Sequence, residues 1–340
     1  MSAGPSASTT RASASARERI AVITSSYPRE PGDASGHFVR AEALELAKRG
    51  HDVTVFAAGR GRIEGSAPSV VWLADGGASG FPGLKARLRA MPLRCIGLAL
   101  WLARVRRELS RRGPFDRIVA HFILPSALPL IHFDSRLAAL EIVVHGSDAR
   151  LLAALPRPLA RAIITPLLER NAELRCVSSE LAELIQTLAP TPLAERLKVQ
   201  PAALDVSMAP SRVSARKELG VRPDVRLGVI VSRLIPEKRV GCALRAARHV
   251  PELSVVVVGD GPLRSALSRE FPEVRFTGKL PRPTALTWIA AADVLLSASR
   301  SEGAPSVIRE ARALGVPVAT TRVGDLRAWA QADPGLFLID

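Results

Sequence analysis

The chain has 340 residues, of which 47% are hydrophobic and 23% charged, and this balance excludes a fibrous or a wholly disordered protein. Its 47 Lys and Arg against 32 Asp and Glu give a formal net charge of +15, which favours an anionic partner unless it reflects an arginine-rich composition alone. Aromatic residues make up only 4%, which leaves little for base stacking, so we expect no nucleic acid among the partners.

The N-terminal segment is rich in Ser, Ala, Arg and Thr and has no acidic residue, which predicts a disordered tail over residues 1–17 or, alternatively, a transit peptide. Three widely spaced cysteines, Cys95, Cys176 and Cys242, fit neither a disulfide framework nor a metal site and indicate a reducing compartment. No apolar run approaches the ~18 residues of a membrane span. We therefore expect a cytoplasmic protein.

Short β-branched runs alternate with longer amphipathic stretches along the chain, which predicts βα units on parallel sheets. The first series predicts a helix over Phe38–Arg49, ended by Gly50. It also predicts five strands: Arg19–Ser25, Asp52–Ala57, Arg117–Phe122, Glu141–His145 and Arg175–Ser178. We expect these elements to form an N-terminal Rossmann-like domain over residues 18–200.

The segment Leu84–Arg112 holds nine basic side chains against one acidic side chain. It also carries apolar residues at helical spacing: Leu98, Trp101, Leu102, Val105 and Leu109. A basic amphipathic helix of this kind either lies on an anionic membrane surface or packs its apolar stripe on the sheet. The sequence leaves both interpretations open.

A less periodic, proline-rich stretch follows the first series, and we place an interdomain linker at residues 201–225. The second series predicts five more strands: Arg226–Ser232, Leu253–Gly259, Val274–Thr277, Asp293–Ser297 and Val316–Thr320. We assign it to a C-terminal Rossmann-like domain over residues 226–340. The predicted fold class is therefore α/β, with two Rossmann-like domains that face each other across a cleft.

The segment from Ser301 to Ala311 follows a predicted strand and opens a helix, with Pro305 suited to the first helical position. The backbone N–H groups from Ser306 on have no partner within the helix and form an anion site for phosphate. Glu302 precedes the helix and Glu310 lies about 7 Å further along its axis. That offset lets one carboxylate meet a sugar ring while the other holds a ribose diol. The plainer alternative is two solvated glutamates near a helix start.

Two cations, Arg233 and Lys238, follow the first strand of the second series. Arginine can fork two phosphate oxygens and lysine supplies a point charge, a pairing suited to a diphosphate. Alone, this segment would be an ordinary surface loop. Its place at the carboxyl end of a strand, where such sheets bind ligands, favours a binding role.

Several motifs together resemble retaining glycosyltransferase family 4, which has the GT-B fold and uses nucleotide sugars. In the second half they are Glu302-x7-Glu310, Ser232-Arg233-Leu234 with Lys238, and Val258-Gly259-Asp260-Gly261-Pro262. In the first half they are Gly36-His37-Phe38-Val39 running into Ala47-Lys48-Arg49-Gly50-His51-Asp52-Val53-Thr54-Val55, His121-Phe122 with Leu124-Pro125, and His145-Gly146-Ser147-Asp148. The resemblance runs from about residue 19 to the last residue, and the paired glutamates are its most specific part.

Carried over residue by residue, the resemblance implies a donor site along the second sheet. The diphosphate would be held by Arg233, Lys238 and the backbone of Ser306 and Val307, under a loop that contains Gly36. Glu302 and the Gly303–Ala304 backbone would hold the sugar, and Glu310 would hold the ribose. Lys279 and Leu280 would lie beside the base.

The resemblance also implies which groups act on the reacting sugar. His145 would lie at that sugar, and the other catalytic groups would be Glu302, Arg233 and Lys238. His121 and Asp148 would line the acceptor side. Both histidines also have a plainer reading as structural residues at strand ends, and that alternative stays open.

The activity implied is transfer, with retention, of a hexose-type sugar from a nucleotide diphosphate sugar to an acceptor hydroxyl. The acceptor would be a polysaccharide or lipid-linked, in the synthesis of surface polysaccharide or glycolipid, and the enzyme would be peripheral at the inner face of the membrane. The donor is a substrate, so we expect no cofactor. No Asp-x-Asp occurs in the sequence, so we also expect a metal-independent enzyme with no metal ligands.

The sequence departs from the family pattern at three points. Pro201-Ala202-Ala203-Leu204-Asp205 stands where Pro-Asn-Gly precedes an Asp, and Asp325 stands where a second glycine would follow Gly324. We also expect the last helices of the family, which cross back to the N-terminal domain, to be missing after Asp340. The alternative function is therefore a non-catalytic nucleotide-sugar-binding member that acts as a partner subunit. A dehydrogenase or epimerase is disfavoured, because no Gly-x-Gly-x-x-Gly follows a strand.

Overall fold

The computed structural model describes residues 16–63, 67–80, 83–131, 133, 138–190, 193 and 195–339. The predicted tail therefore lies outside the described residues except for its last two positions. Within the described part of the chain, no helix is long and apolar enough to cross a membrane. The described strands fall into two separate sheets, one from each half of the chain.

The first sheet has seven parallel strands in the order β3-β2-β1-β4-β5-β6-β7. They are β1 (Arg19–Thr24), β2 (Asp52–Ala58), β3 (Ser69–Leu73), β4 (Arg117–His121), β5 (Ala139–Val144), β6 (Glu173–Cys176) and β7 (Leu197–Val199). The helices between them are α1 (His37–Lys48), α2 (Leu84–Ala90), α3 (Arg94–Arg112), the short α4 (Ile123–Ser126), α5 (Ser147–Ala153), α6 (Arg157–Glu169) and α7 (Ser179–Leu188).

The second sheet has six parallel strands in the order β10-β9-β8-β11-β12-β13. They are β8 (Arg226–Val231), β9 (Leu253–Val258), β10 (Arg275–Gly278), β11 (Val294–Ser297), β12 (Val318–Thr321) and β13 (Leu336–Ile339). Its helices are α8 (Arg212–Leu219), α9 (Val240–Ala247), α10 (Arg264–Glu270), α11 (Arg282–Ala291), α12 (Ser306–Ala313) and α13 (Leu326–Ala332). A single 3-10 turn, Pro236–Lys238, follows β8.

The predicted α/β architecture is confirmed, and each of the ten predicted strands is present with ends shifted by at most two residues. The sequence missed β3, β7 and β13, which are all edge strands. An edge strand is covered on fewer sides than a central one, so its apolar pattern is weaker than the continuous buried run of Ile20–Ile23 in β1. Helix α8 lies within the predicted linker, and the domain boundaries themselves stay a prediction.

Two details of the sequence interpretation change. Pro305 is not the first residue of α12 but the residue before it, because its extended backbone (ψ 113°) is not helical. In α3, the side chains of Trp101, Val105 and Leu109 are buried in the core of the first sheet. The apolar stripe identified from the sequence is therefore a packing face, and any membrane contact must use another face of α3.

Candidate active site in the cleft between the two sheets

The predicted site residues follow the carboxyl ends of strands in both sheets, where loops from the two halves of the chain meet. Gly36 precedes α1 and has a positive φ of 63°, and a Cβ there would lie 2.1 Å from the carbonyl oxygen of Ser26, so only glycine fits. From the opposite half, a Cβ on Gly303 would lie 3.2 Å from the carbonyl oxygen of His145. The Glu302–Gly303 loop thus packs directly against the His145 loop across the cleft.

Glu302 and Lys238 form an ion pair, with the Lys238 ammonium 2.5 Å from a Glu302 carboxylate oxygen. Both side chains are largely buried, so water screens the pair less than it would at the surface. The sequence assigned the lysine to the phosphates and the carboxylate to the sugar as separate contacts. The structure joins the two groups in one ion pair.

The Glu302 loop is also held from the first domain. Arg150 of α5 donates to the carbonyl oxygen of Glu302 at 3.0 Å and pairs with Glu180 of α7 at 2.9 Å. In the loop before α13, the carboxylate of Asp325 accepts a hydrogen bond from the backbone N–H of Ser179 at 2.7 Å. Asp325, which departs from the family pattern, therefore caps the N-terminus of α7 across the domain interface.

Glu310 is buried and paired on two sides. Arg282, at the start of α11, donates to a Glu310 carboxylate oxygen at 2.5 Å, and Nε2 of His37 in α1 lies 3.3 Å from the same oxygen. Burial alone would raise the pKa of Glu310, but the nearby His37 ring and the charge of Arg282 lower it below its ordinary value. The predicted ribose ligand is therefore a carboxylate held in place by one residue from each domain.

Arg282 ties together three parts of the molecule. Besides Glu310, its guanidinium donates to the carbonyl oxygen of Asp205, in the loop that departs from the family pattern, at 2.5 Å. Its backbone N–H donates to the carbonyl oxygen of Gly32 in the first domain at 2.7 Å. These contacts fix Glu310, the linker loop and the loop after β1 relative to one another.

The remaining donor-side residues lie around the same cleft. Arg233 is exposed, and its Nη1 lies 3.4 Å from the position that a Cβ would take on Gly83, just before α2. Lys279 is exposed, with Nζ 3.9 Å from a carboxylate oxygen of Asp33, and Leu280 beside it is partly buried. These residues frame one side of the cleft.

Helix α12 begins at Ser306, so the N–H groups of Ser306 and Val307 have no partner within the helix. No acidic residue stands in the first turn of α12, which keeps its positive end available to an anion. Ala304 packs partly buried against the core of the first domain, beside Gly303. The described residues contain no cluster of three or more His, Cys, Asp or Glu side chains arranged for a metal ion.

His121 and His145 form a stacked pair at the ends of the neighbouring strands β4 and β5, with Nδ1 of His121 3.0 Å from Nε2 of His145. The rings of Phe38 and Phe122 lie 4.7 and 4.6 Å from the ring of His145, centroid to centroid. Burial is the main cause that lowers the pKa of both histidines, and for His145 the charges of His121 and Arg175 add to it. Both rings are therefore neutral near pH 7.

The two residues assigned to the acceptor side are both buried. His121 is 1% exposed, and Asp148 is 2% exposed. The carboxylate of Asp148 accepts hydrogen bonds from the backbone N–H groups of Ile123, His145 and Gly146 at 2.8, 3.1 and 2.8 Å. Neither side chain presents a surface to an acceptor in this structure, and their assignment to the acceptor side stays a prediction.

The sequence interpretation did not assign four residues that hold this site together: His37, Arg150, Arg282 and Asp325. His37 belongs to the Gly36-His37-Phe38 motif, so the sequence could have indicated it as a site residue. The other three act across the domain interface, and no local pattern marks them.

Comparison with known proteins is consistent with this geometry. Residues 35–207 match the family described as Glycosyltransferase Family 4, and residues 226–340 match the family described as Glycosyl transferases group 1. The chain is 29% identical over 332 residues to a protein of Bacillus subtilis (strain 168) named Putative teichuronic acid biosynthesis glycosyltransferase TuaC. That alignment covers 90% of this chain and 81% of TuaC.

Two solved structures share the fold. Sucrose-phosphate synthase from Thermosynechococcus elongatus superposes with a TM-score of 0.75 at 19% identity, covering 95% of this chain and 86% of the other. The Anabaena protein HepE in complex with UDP-glucose superposes with a TM-score of 0.66 at 18% identity, covering 92% and 82% of the two chains.

Proposed function

Because this chain belongs to glycosyltransferase family 4 and has the GT-B fold, we propose that it transfers a hexose-type sugar from a nucleotide diphosphate sugar to an acceptor hydroxyl, with retention and without a metal ion. The observation that carries the proposal is the packing of the Glu302–Gly303 loop against His145 across the cleft. It brings His145 of the first domain beside the Glu302–Lys238 pair and the start of α12, which supports a donor site shared by the two domains.

The positive charges of the site would stabilise a nucleoside diphosphate as it leaves the sugar. As the bond between the anomeric carbon and the phosphate oxygen breaks, negative charge develops on the diphosphate. Lys238, Arg233 and the N-terminus of α12 stabilise that charge from fixed positions. The acceptor oxygen forms its new bond on the same face of the sugar, and its proton passes to the departing phosphate oxygen. Protein cations take the part that a metal ion plays in other transferases.

The acceptor we propose is lipid-linked or a growing polysaccharide. The relative TuaC is named for teichuronic acid biosynthesis, which supports this class of acceptor. The outward face of α3 supports it independently, because Leu93, Ile96 and Leu100 are 76%, 58% and 50% exposed. We call these three residues the Leu93 stripe.

The Leu93 stripe suits contact with an anionic membrane surface. It continues along the same face of α3 into the exposed side chains of Arg104 and Arg107, so an apolar patch is followed by basic groups on one surface. Helix α2, which precedes it, starts beside Arg233 of the donor site. An enzyme held by this face at the inner leaflet would have its cleft next to the lipid, where a lipid-linked acceptor resides.

The test is a transfer assay with a panel of nucleotide diphosphate sugars and lipid-linked or oligosaccharide acceptors, preceded by a thermal-shift screen that selects the donor. We expect one donor to raise the melting temperature and to be consumed only when an acceptor is present. A protein that binds nucleotide sugars but transfers nothing would instead be a non-catalytic binding member. Binding of no nucleotide sugar at all would contradict both functions.

A further inference from the structure

A row of alternating charges crosses the first sheet from the start of β4 to the carboxyl edge and ends at His145. Arg117 donates to Glu141, Arg175 donates to Glu141 at 2.6 Å and to Glu42, and Nε2 of His121 lies 3.9 Å from Glu42. His121 is in turn bonded to His145. The row thus links helix α1, which carries Glu42, to the histidine at the proposed reacting sugar.

Two atoms in the middle of this row are buried without a hydrogen-bond partner within the described residues: Nε2 of His121 and Oε2 of Glu42. A buried polar atom without a partner is costly, so the arrangement needs a reason. Nε2 of His121 lies 3.9 Å from the other carboxylate oxygen of Glu42, Oε1, which accepts the hydrogen bond from Arg175. The closeness of this carboxylate decides which nitrogen of His121 carries the proton.

Only one assignment of protons suits both neutral rings. The bond between Nδ1 of His121 and Nε2 of His145 needs a proton on one of the two nitrogens. If Nδ1 of His121 carried it, the bare lone pair of its Nε2 would face the Glu42 carboxylate, and two negative groups would repel each other. With the proton on Nε2 of His121, the N–H faces the carboxylate, and Nδ1 accepts from Nε2–H of His145.

We propose that Glu42 and His121 are positioning residues that hold His145 in its Nε2–H tautomer. Nδ1 of His145, which makes no hydrogen bond within the described part of the chain, then has a lone pair that accepts a hydrogen bond from a sugar hydroxyl. The proton assignment rests on the contacts of the row alone, and the identity of the hydroxyl rests on the proposed function. His121 thus acts on the sugar through His145.

The direct test is the tautomer of His145 in the full chain labelled with ¹⁵N, read from two-bond ¹⁵N–¹H correlation spectra near pH 7.5. The signals of His145 are identified by their loss in His145→Gln. We expect a protonated Nε2 and a bare Nδ1. A protonated Nδ1, a doubly protonated ring or an even mixture of tautomers would overturn the proposal without any use of activity.

The isosteric variant Glu42→Gln supplies a second test. Arg175 would still bond the amide oxygen in the place of Oε1, the Glu42 atom that lies 3.9 Å from Nε2 of His121, but the negative charge that favours a proton on Nε2 would be gone. The preference for that proton would weaken, and the Nδ1–H tautomer of His145 would become populated. With a competent donor, kcat should fall, while affinity for the bare nucleoside diphosphate stays unchanged.

The matched control is Glu45→Gln, an exposed position on the same helix, which pairs with Arg49. It should leave the His145 tautomer and kcat as they are in the parent. Unchanged His145 spectra in Glu42→Gln would refute the role of Glu42. If Glu42→Gln fails to fold, the tautomer of His145 in the parent protein still tests the proposal. If the tautomers are as expected but the protein transfers no sugar, the proposed function is refuted and this inference stands.

Discussion

Lys238 and Glu302, which follow the neighbouring strands β8 and β11, meet as an ion pair at the centre of the cleft. In the proposed function, the pair would lie where the diphosphate joins the donor sugar. It also means that neither group acts alone, since removal of one leaves the other partly buried without its partner.

The first prediction concerns the donor phosphates. Lys238→Ala and Arg233→Ala should each remove charge-assisted hydrogen bonds of about 1.5–3 kcal/mol and weaken nucleoside diphosphate binding at least tenfold by calorimetry. Arg226→Ala is the matched control, because Arg226 lies at the opposite end of β8 and pairs with exposed Glu252. Parent-like affinity in both cleft variants would place the phosphates elsewhere.

The second prediction separates the two glutamates. Glu302→Gln should not weaken binding of a bare nucleoside diphosphate, because it leaves the Lys238 cation in place and removes only the carboxylate paired with it. It should lower kcat steeply, because the proposed partner of Glu302 in the complex is the donor sugar. Glu310→Gln should weaken binding of the bare nucleotide and of the full donor together, by roughly 1–3 kcal/mol, because its proposed partner is the ribose. Equal loss of nucleotide binding in both variants would show that this division is wrong.

The third prediction concerns acid stability. The pKa of Glu310 lies below its ordinary value of 4.5 in the folded protein, so folding favours its carboxylate. The stability that this adds is complete above about pH 4.5 and is lost as the pH falls through the folded pKa. Thermal unfolding between pH 3 and 7 should therefore show a smaller acid-dependent loss for Glu310→Gln than for the parent. Parallel curves would contradict the pairing with Arg282 and His37.

The fourth prediction concerns the membrane. The parent should sediment with anionic vesicles at low salt and be released as salt screens the arginines. Replacement of Leu93, Ile96 and Leu100 by serine should abolish sedimentation, whereas Val213→Ser should not, although Val213 is 80% exposed on the other domain. Equal binding to neutral vesicles, or binding that survives the triple replacement, would refute this surface.

The sequence predicted the central strands well, because their apolar runs are local patterns. Glu302 and Lys238 were assigned from their places after strands and His145 from the family resemblance, and the roles of all three stay predictions. The contact of His37 with Glu310 and the cap that Asp325 forms on α7 were not predicted, because each joins residues from opposite halves of the chain. Helix α3 was also not resolved from the sequence, because it carries apolar residues on two faces. Only its packing in the structure shows which face is buried.

The central claim, metal-free transfer with retention, is tested most directly by proton NMR of the reaction in the presence of EDTA, with the donor selected by thermal shift. The anomeric signals of donor and product report the configuration at the transferred carbon as the reaction proceeds. We predict a product with the same anomeric configuration as the donor, formed at an undiminished rate in EDTA. An inverted product, or turnover that stops in EDTA and returns with a divalent ion, would contradict the account.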